Sequence, residues 1–236
     1  MSRAVDPSSL GLRSIALLDG LAPEKLDAIA RQCVWRNYEA GKRIISRNAD
    51  DRDVYLLVKG RVRITTYSAG GREVAFRDIG AGEVFGEVAA LDGEPRSADV
   101  VALDVTLLAS IPPAAFRKLL EEEPVIGVRV MTRLAALVRS LSKRVIDLST
   151  LGVQNRIHAE LLRLARQAGV ERNCARLDPG PKHADIASRV STYREQVTRE
   201  LSALARAGIV HKEGGALVVR DVSRLEQMVE HVRSGA

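Results

Sequence analysis

Residues Val54–Phe76 read Val-Tyr-Leu-Leu-Val-Lys-Gly-Arg-Val-Arg-Ile-Thr-Thr-Tyr-Ser-Ala-Gly-Gly-Arg-Glu-Val-Ala-Phe. Val54–Val58, Val62–Tyr67 and Glu73–Phe76 are short, β-branched and aromatic runs, the composition of strands. Lys59-Gly60 and Ala69-Gly70-Gly71 punctuate them as turns. Downstream, Ala98–Ala102 and Val105–Ala109 repeat the pattern, and Pro112-Pro113 ends it. Many short strands between glycine turns predict a sandwich or jelly-roll barrel. Upstream, Leu21–Ile29 predicts a short amphipathic helix, with Pro23 in its first turn and Leu26, Ile29 and Ala30 on one face.

Beyond Pro124 the period becomes helical. Val130, Leu134, Leu137, Leu141, Leu148 and Leu151 follow heptad-like steps, with Arg144 the one polar interruption. A helix from about Val125 to Thr150 would be roughly 39 Å long, and its seam predicts a parallel homodimer. After Gly152 come a helix over 154–167, a Pro-Gly-Pro loop within 176–182 and a short helix over 183–190. Ser191-Thr192 can cap a second helix from Tyr193 to Arg206, stopped by Gly208. A hairpin follows, turning at Gly214-Gly215, and then a last helix capped by Asp221. Two short helices with a tight turn and a following hairpin have the layout of a winged helix-turn-helix. The fold class is therefore α+β: a β-barrel over 1–122, a dimerisation helix over 123–151 and a winged helix-turn-helix unit over 152–236.

Composition agrees with that plan. The chain has 236 residues, 46% hydrophobic and 28% charged, as in globular proteins. No apolar run approaches the roughly 18 residues of a membrane helix. Met1–Pro7 lacks the apolar core of a secretory signal. Two cysteines, Cys33 and Cys174, cannot build a disulfide framework, so a reducing cytoplasm is the expected compartment. The net charge of +6 is uneven. Residues 1–152 carry +2, while the much shorter 153–236 carry +4, which suits a phosphate-rich partner.

One segment carries specific chemistry: Phe85-Gly-Glu-Val-Ala-Ala-Leu-Asp-Gly-Glu-Pro-Arg-Ser-Ala98. Gly86 permits close backbone approach. Glu87 suits a ribose hydroxyl, Arg96 offers a fork of donors to a phosphate, and Ser97 adds a hydroxyl. The plainer alternative is a surface ion pair of Glu87 and Arg96 beside a turn. In Thr192-Tyr-Arg-Glu-Gln-Val-Thr-Arg-Glu-Leu201, residues Arg194, Glu195 and Arg199 share a helix face while Val197, Leu201 and Leu204 turn away. Arginine can bind guanine O6 and N7, and glutamate can accept from cytosine N4. The alternative there is an ordinary Glu195–Arg199 surface pair.

These segments resemble the cAMP receptor protein (CRP/FNR) family of bacterial regulators. The resemblance spans about Leu21 to Val219 and includes Val54–Gly60, Val153-Gln-Asn-Arg-Ile157 and Arg194-Glu-Gln-Val-Thr-Arg199. It implies a cyclic nucleotide, cAMP or cGMP, held by Gly86, Glu87, Val88, Ala89, Arg96 and Ser97. At the base end the matching positions are Leu141 and Ser142, where cAMP-responsive members place Thr-Ser. Leu141 has no hydroxyl for adenine. The implied DNA contacts are His183, Thr192, Tyr193, Arg194, Glu195, Gln196 and Arg199, reading GTGA-like half-sites. Lys182 stands where the family often has a capping threonine. RNA polymerase is a further implied partner. Metal, haem, an iron–sulfur cluster and catalysis are not expected: the four histidines lie at 158, 183, 211 and 231, and no nucleophile set or Walker loop occurs. The other readings are a relative that binds DNA with no cyclic nucleotide or another effector, and a nucleotide-binding regulatory module of a partner enzyme.

Overall fold

The computed structural model describes residues 3–4, 9–68 and 70–233. The chain forms two compact units, meeting in sequence at Leu137/Val138.

The first unit is a β-sandwich with helices on one side. One antiparallel sheet has the order β1 (Arg3–Ala4), β2 (Val34–Tyr38), β9 (Thr106–Ile111), β4 (Val54–Lys59), β7 (Val84–Phe85). The other has the order β3 (Arg43–Ile45), β8 (Asp99–Ala102), β5 (Arg61–Tyr67), β6 (Glu73–Gly80). Helices α1 (Ser9–Leu12), α2 (Pro23–Gln32), α3 (Glu87–Asp92) and α4 (Pro113–Glu122) complete the unit with the start of α5 (Pro124–Thr150). The continuous apolar run of β4 is explained by burial on both faces. Val54 and Leu56 join Leu12, Trp35, Phe116 and Ile126 in a sheet–helix core. Tyr55 and Leu57 join Ile45, Val62, Phe85 and Leu108 between the sheets. Leu26, Ile29 and Ala30 of α2 are buried as expected. Pro112-Pro113 ends the β region and also opens α4, whose first residue is Pro113, a position where the missing N–H costs nothing.

The long helix departs from the expected seam by a rotation. Val130 is buried against the first unit's own core, where Leu134 also packs, so these residues do not belong to a free seam. Leu137 is half-buried, Leu151 is buried, and Arg144 is half-buried near Glu160. Past Leu137 the helix exposes Val138, Leu141, Val145 and Leu148 at steps of three, four and three, and Ile146 as well.

The second unit packs α6 (Val153–Ala168), α7 (His183–Arg189), α8 (Arg194–Arg206) and α9 (Val222–Arg233) around Ile157, Leu161, Ile186, Val197, Leu201 and Leu225. Its sheet has three strands, β10 (Ala175–Leu177), β12 (Ala216–Val219) and β11 (Val210–Glu213), and not the hairpin alone. β10 is three residues long and pairs Ala175 with Val219 and Leu177 with Leu217, just before the Pro-Gly-Pro loop. α8 ends in a Schellman motif: Gly208 (φ +73°) donates to the Ala205 carbonyl and Ile209 to that of Leu204. Asp221 caps α9, accepting from the Arg224 N–H at 2.9 Å.

Candidate effector and DNA sites

The segment 85–98 forms a cradle around one buried cation. β7 ends at Phe85, Gly86 takes φ +84°, and α3 begins at Glu87. Arg96 returns beneath this turn and is 3% exposed. Its Nη1 donates to the Gly86 carbonyl at 2.9 Å and its Nη2 to the Asp53 carbonyl at 2.7 Å and to the Asp51 carboxylate. Nε is buried with no hydrogen-bond partner. The guanidinium lies 5.7 Å from the centroid of the Tyr55 ring, which stacks on Phe85 at 5.0 Å. Gly86 is required twice over. Its φ disfavours other residues, and a Cβ there would stand 2.7 Å from Arg96 Nη1 and 2.9 Å from the Asp53 carbonyl.

Glu87 is 5% exposed and accepts from Arg133 Nε at 3.3 Å. Arg133, on α5, also donates to the Val84 carbonyl and faces Glu83 at 3.5 Å. The surface pair of Glu87 with Arg96 is therefore not formed: both side chains are buried, and each holds a different partner. Ala89 is buried in the packing of α3, Val88 is half-buried, and Ser97 is exposed. Leu141 and Ser142 are exposed on α5 beyond Leu137, in the second unit. Asp51 and Arg133 were missed by sequence reasoning. They lie 45 and 46 residues from Arg96 and Glu87, and nothing local marks them.

The second candidate site is the turn and helix after α7. Ser191 takes φ +55°, Thr192 is buried with its N–H on the Ala187 carbonyl, and Tyr193 is the N-cap of α8. The cap is thus one residue later than Ser191-Thr192, and Thr192 packs the turn from inside. Tyr193, Arg194, Glu195, Gln196 and Arg199 are exposed together, while Val197, Leu201 and Leu204 are buried. Among the described residues Glu195 and Arg199 make no ion pair with each other, so the ordinary surface-pair alternative does not hold. Arg156 braces the turn, donating Nε to the Val190 carbonyl at 3.1 Å and Nη1 to that of Leu151 at 2.9 Å.

His183 opens α7 with Nδ1 2.8 Å from Thr198 Oγ1. That hydroxyl spends its proton on the Arg194 carbonyl, so His183 Nδ1 is the donor. Burial, then Lys212 and Arg194, hold the imidazole below its ordinary pKa. Deeper in the unit, His158 is 1% exposed and places Nε2 2.6 Å from Glu200 Oε1, tying α6 to α8. Cys33 is buried, and burial followed by Asp53 pushes its thiol up to about 12. Among the described residues no helix is long and apolar enough to cross a membrane.

Residues 35–123 match the cyclic nucleotide-binding domain and residues 155–228 the Crp-like helix-turn-helix domain. Over 221 residues the chain is 31% identical to the cyclic AMP receptor protein of Thermus thermophilus, covering 92% of this chain and 98% of that one. The chain belongs to the CRP/FNR family of transcription regulators. A second relative is the CRP-like cAMP-activated global transcriptional regulator of Mycobacterium tuberculosis, 25% identical and spanning 91% of this chain and 96% of that protein. Among solved structures, the Thermus thermophilus catabolite activator protein superposes with a TM-score of 0.52 at 31% identity, covering 92% and 99% of the two chains. As a CRP/FNR protein the chain carries a cyclic nucleotide-binding domain and a helix-turn-helix for DNA, as expected from the cassette and from α7–α8.

Proposed function

We propose that this chain is a cytoplasmic, homodimeric transcription regulator whose DNA affinity is set by cAMP or cGMP bound at the 85–98 cassette. The observation that carries the proposal is Arg96: a guanidinium 3% exposed, with a buried Nε still unpartnered, beneath a glycine turn. Buried charge is retained where it is paired, and the spare donor suits an anion. The Asp51 side chain is 46% exposed, so it can swing to water as a cyclic phosphate takes its place. Glu87 then accepts from the ribose 2′-hydroxyl in competition with Arg133.

The exposed Val138, Leu141, Val145 and Leu148 supply the dimer seam, two such helices burying them together. Nucleotide binding biases the helix pair between two arrangements and so sets the spacing of two α8 helices. Arg194, Glu195 and Arg199 read GTGA-like half-sites about 34 Å apart, one helical turn. Tyr193, Gln196 and His183 flank them, and RNA polymerase is the partner such a complex would recruit.

Calorimetry of the full chain with cAMP and cGMP tests the effector. Heat with at least one, lost in Arg96→Leu, is expected. Asp51 already meets Arg96, and this favours a second reading in which the protein binds DNA with the cassette empty. Silence with both nucleotides in protein that still binds its site would select that reading. For the dimer, Val138→Arg should give monomer in light scattering. A monomeric wild type at micromolar concentration would refute the seam.

A further inference from the structure

We infer that Arg77 is a base-reading residue of the effector pocket and gives it a preference for guanine over adenine. The inference rests on the cyclic-nucleotide reading above and extends it to the choice of base. A bulge at Phe76 sets the geometry: Ile64 pairs with Arg77, but Thr65 pairs with Ala75. Past the bulge, Arg77 and Ile79 lie on one face of β6. Ile79 is 3% exposed within the core between the sheets, and Ile64, opposite Arg77, packs there too. The other face carries Asp78, which pairs with Arg63 at 2.8 Å. Arg77 is thus directed inward and is half-buried. Among the described residues its guanidinium has no hydrogen bond or ion pair.

Its charged neighbours are Arg133, Glu83 and Glu87. Burial, and then Arg133, hold its pKa below the usual guanidinium range. Such a group has five donors and no acceptors, so a half-buried and unpartnered one calls for a ligand with acceptors. Arg96 serves the phosphate end and Glu87 the ribose. The base is joined to the carbon next to the one bearing the 2′-hydroxyl, so a cation beside Glu87 meets the base edge. Guanine presents O6 and N7, two acceptors matched to the guanidinium fork. Adenine presents N7 with an amino group, and its donor would face donors.

The test is calorimetry of the full wild-type chain with cAMP, cGMP and inosine 3′,5′-cyclic monophosphate, which keeps O6 and N7 but lacks the guanine amino group. The two oxopurine nucleotides should bind alike and at least about fivefold more tightly than cAMP, the low end for a bidentate arginine contact. Arg77→Met should erase that preference, weakening the two oxopurine nucleotides far more than cAMP, and Arg77→Lys should restore part of it. Wild-type protein that binds cAMP as tightly as cGMP overturns the inference and leaves the effector reading standing. Equal loss for all three nucleotides in Arg77→Met, in folded protein, overturns it as well. No binding by any of the three in the wild type overturns both.

Discussion

The effector cassette and the recognition helix use the same residue types in opposite ways. In the cassette, Arg96 and Glu87 are 3% and 5% exposed and already engaged by Asp51 and Arg133. On α8, Arg194, Glu195 and Arg199 are exposed. On the function proposed above, a ligand entering the cassette exchanges partners, so its affinity is a difference between two sets of contacts, whereas DNA arriving at α8 adds contacts to side chains that are already exposed. That reading joins function to stability in the first region and separates them in the second.

Substitution at Arg96 should show the largest effect. Arg96→Leu removes donors from two backbone carbonyls and from Asp51, so urea unfolding should report about 3 kcal/mol lost from the first unit. Nucleotide binding should vanish in the same protein. If stability were untouched, the burial argument for the cassette would collapse. Glu87→Gln keeps the volume but removes the charge that Arg133 holds. Stability should fall by about 1–2 kcal/mol, and the preference of calorimetric affinity for ribose over 2′-deoxyribose ligands should shrink.

Arg194→Ala is the contrast. Unfolding should change by less than about 0.5 kcal/mol, as for ordinary exposed positions. Specific DNA binding should weaken by about 1–3 kcal/mol at one base pair, with random DNA much less affected. Equal losses on specific and random DNA would make Arg194 a phosphate contact. The smallest effect concerns pH. The Arg224 N–H, then Asn173, hold the Asp221 carboxyl below its ordinary range. A depressed folded pKa stabilises above the unfolded value, near 4, and is lost as pH falls through the folded value. Thermal melts of the second unit should therefore decline below about pH 4, and Asp221→Asn should flatten that decline.

Much of this was legible because the signals are local. Glycine turns, the Pro112-Pro113 stop, the Asp221 cap and the Phe85–Ala98 segment each speak within a few residues. Leu134, Leu141 and Leu148 fit two heptad registers. Val130 and Leu137 complete one in the sequence, but Val130 and Leu134 are taken up by the first unit's own core, and Val138 and Val145 are the exposed residues of the other. Only the presence of a neighbouring core decides between them, and sequence does not carry it. β10 was hidden by its length of three residues. Asp51, Arg133 and Arg77 were hidden by distance along the chain, since folding brings them to a segment whose own pattern looks self-sufficient.

The His158–Glu200 contact has a consequence for how such a chain can drift. Imidazole and carboxylate meet at 2.6 Å in the interior, with Gln154 donating to the same oxygen at 3.1 Å. Losing one partner leaves a buried polar group alone, whereas replacing both by matched apolar residues can be nearly neutral. The two positions are thus 42 residues apart in sequence but a single unit of inheritance. Each substitution is a valley when taken alone and level ground when taken with the other. Because Glu200 sits on α8 one residue after Arg199, the inner side of that helix is coupled to α6 while its outer face carries no such constraint.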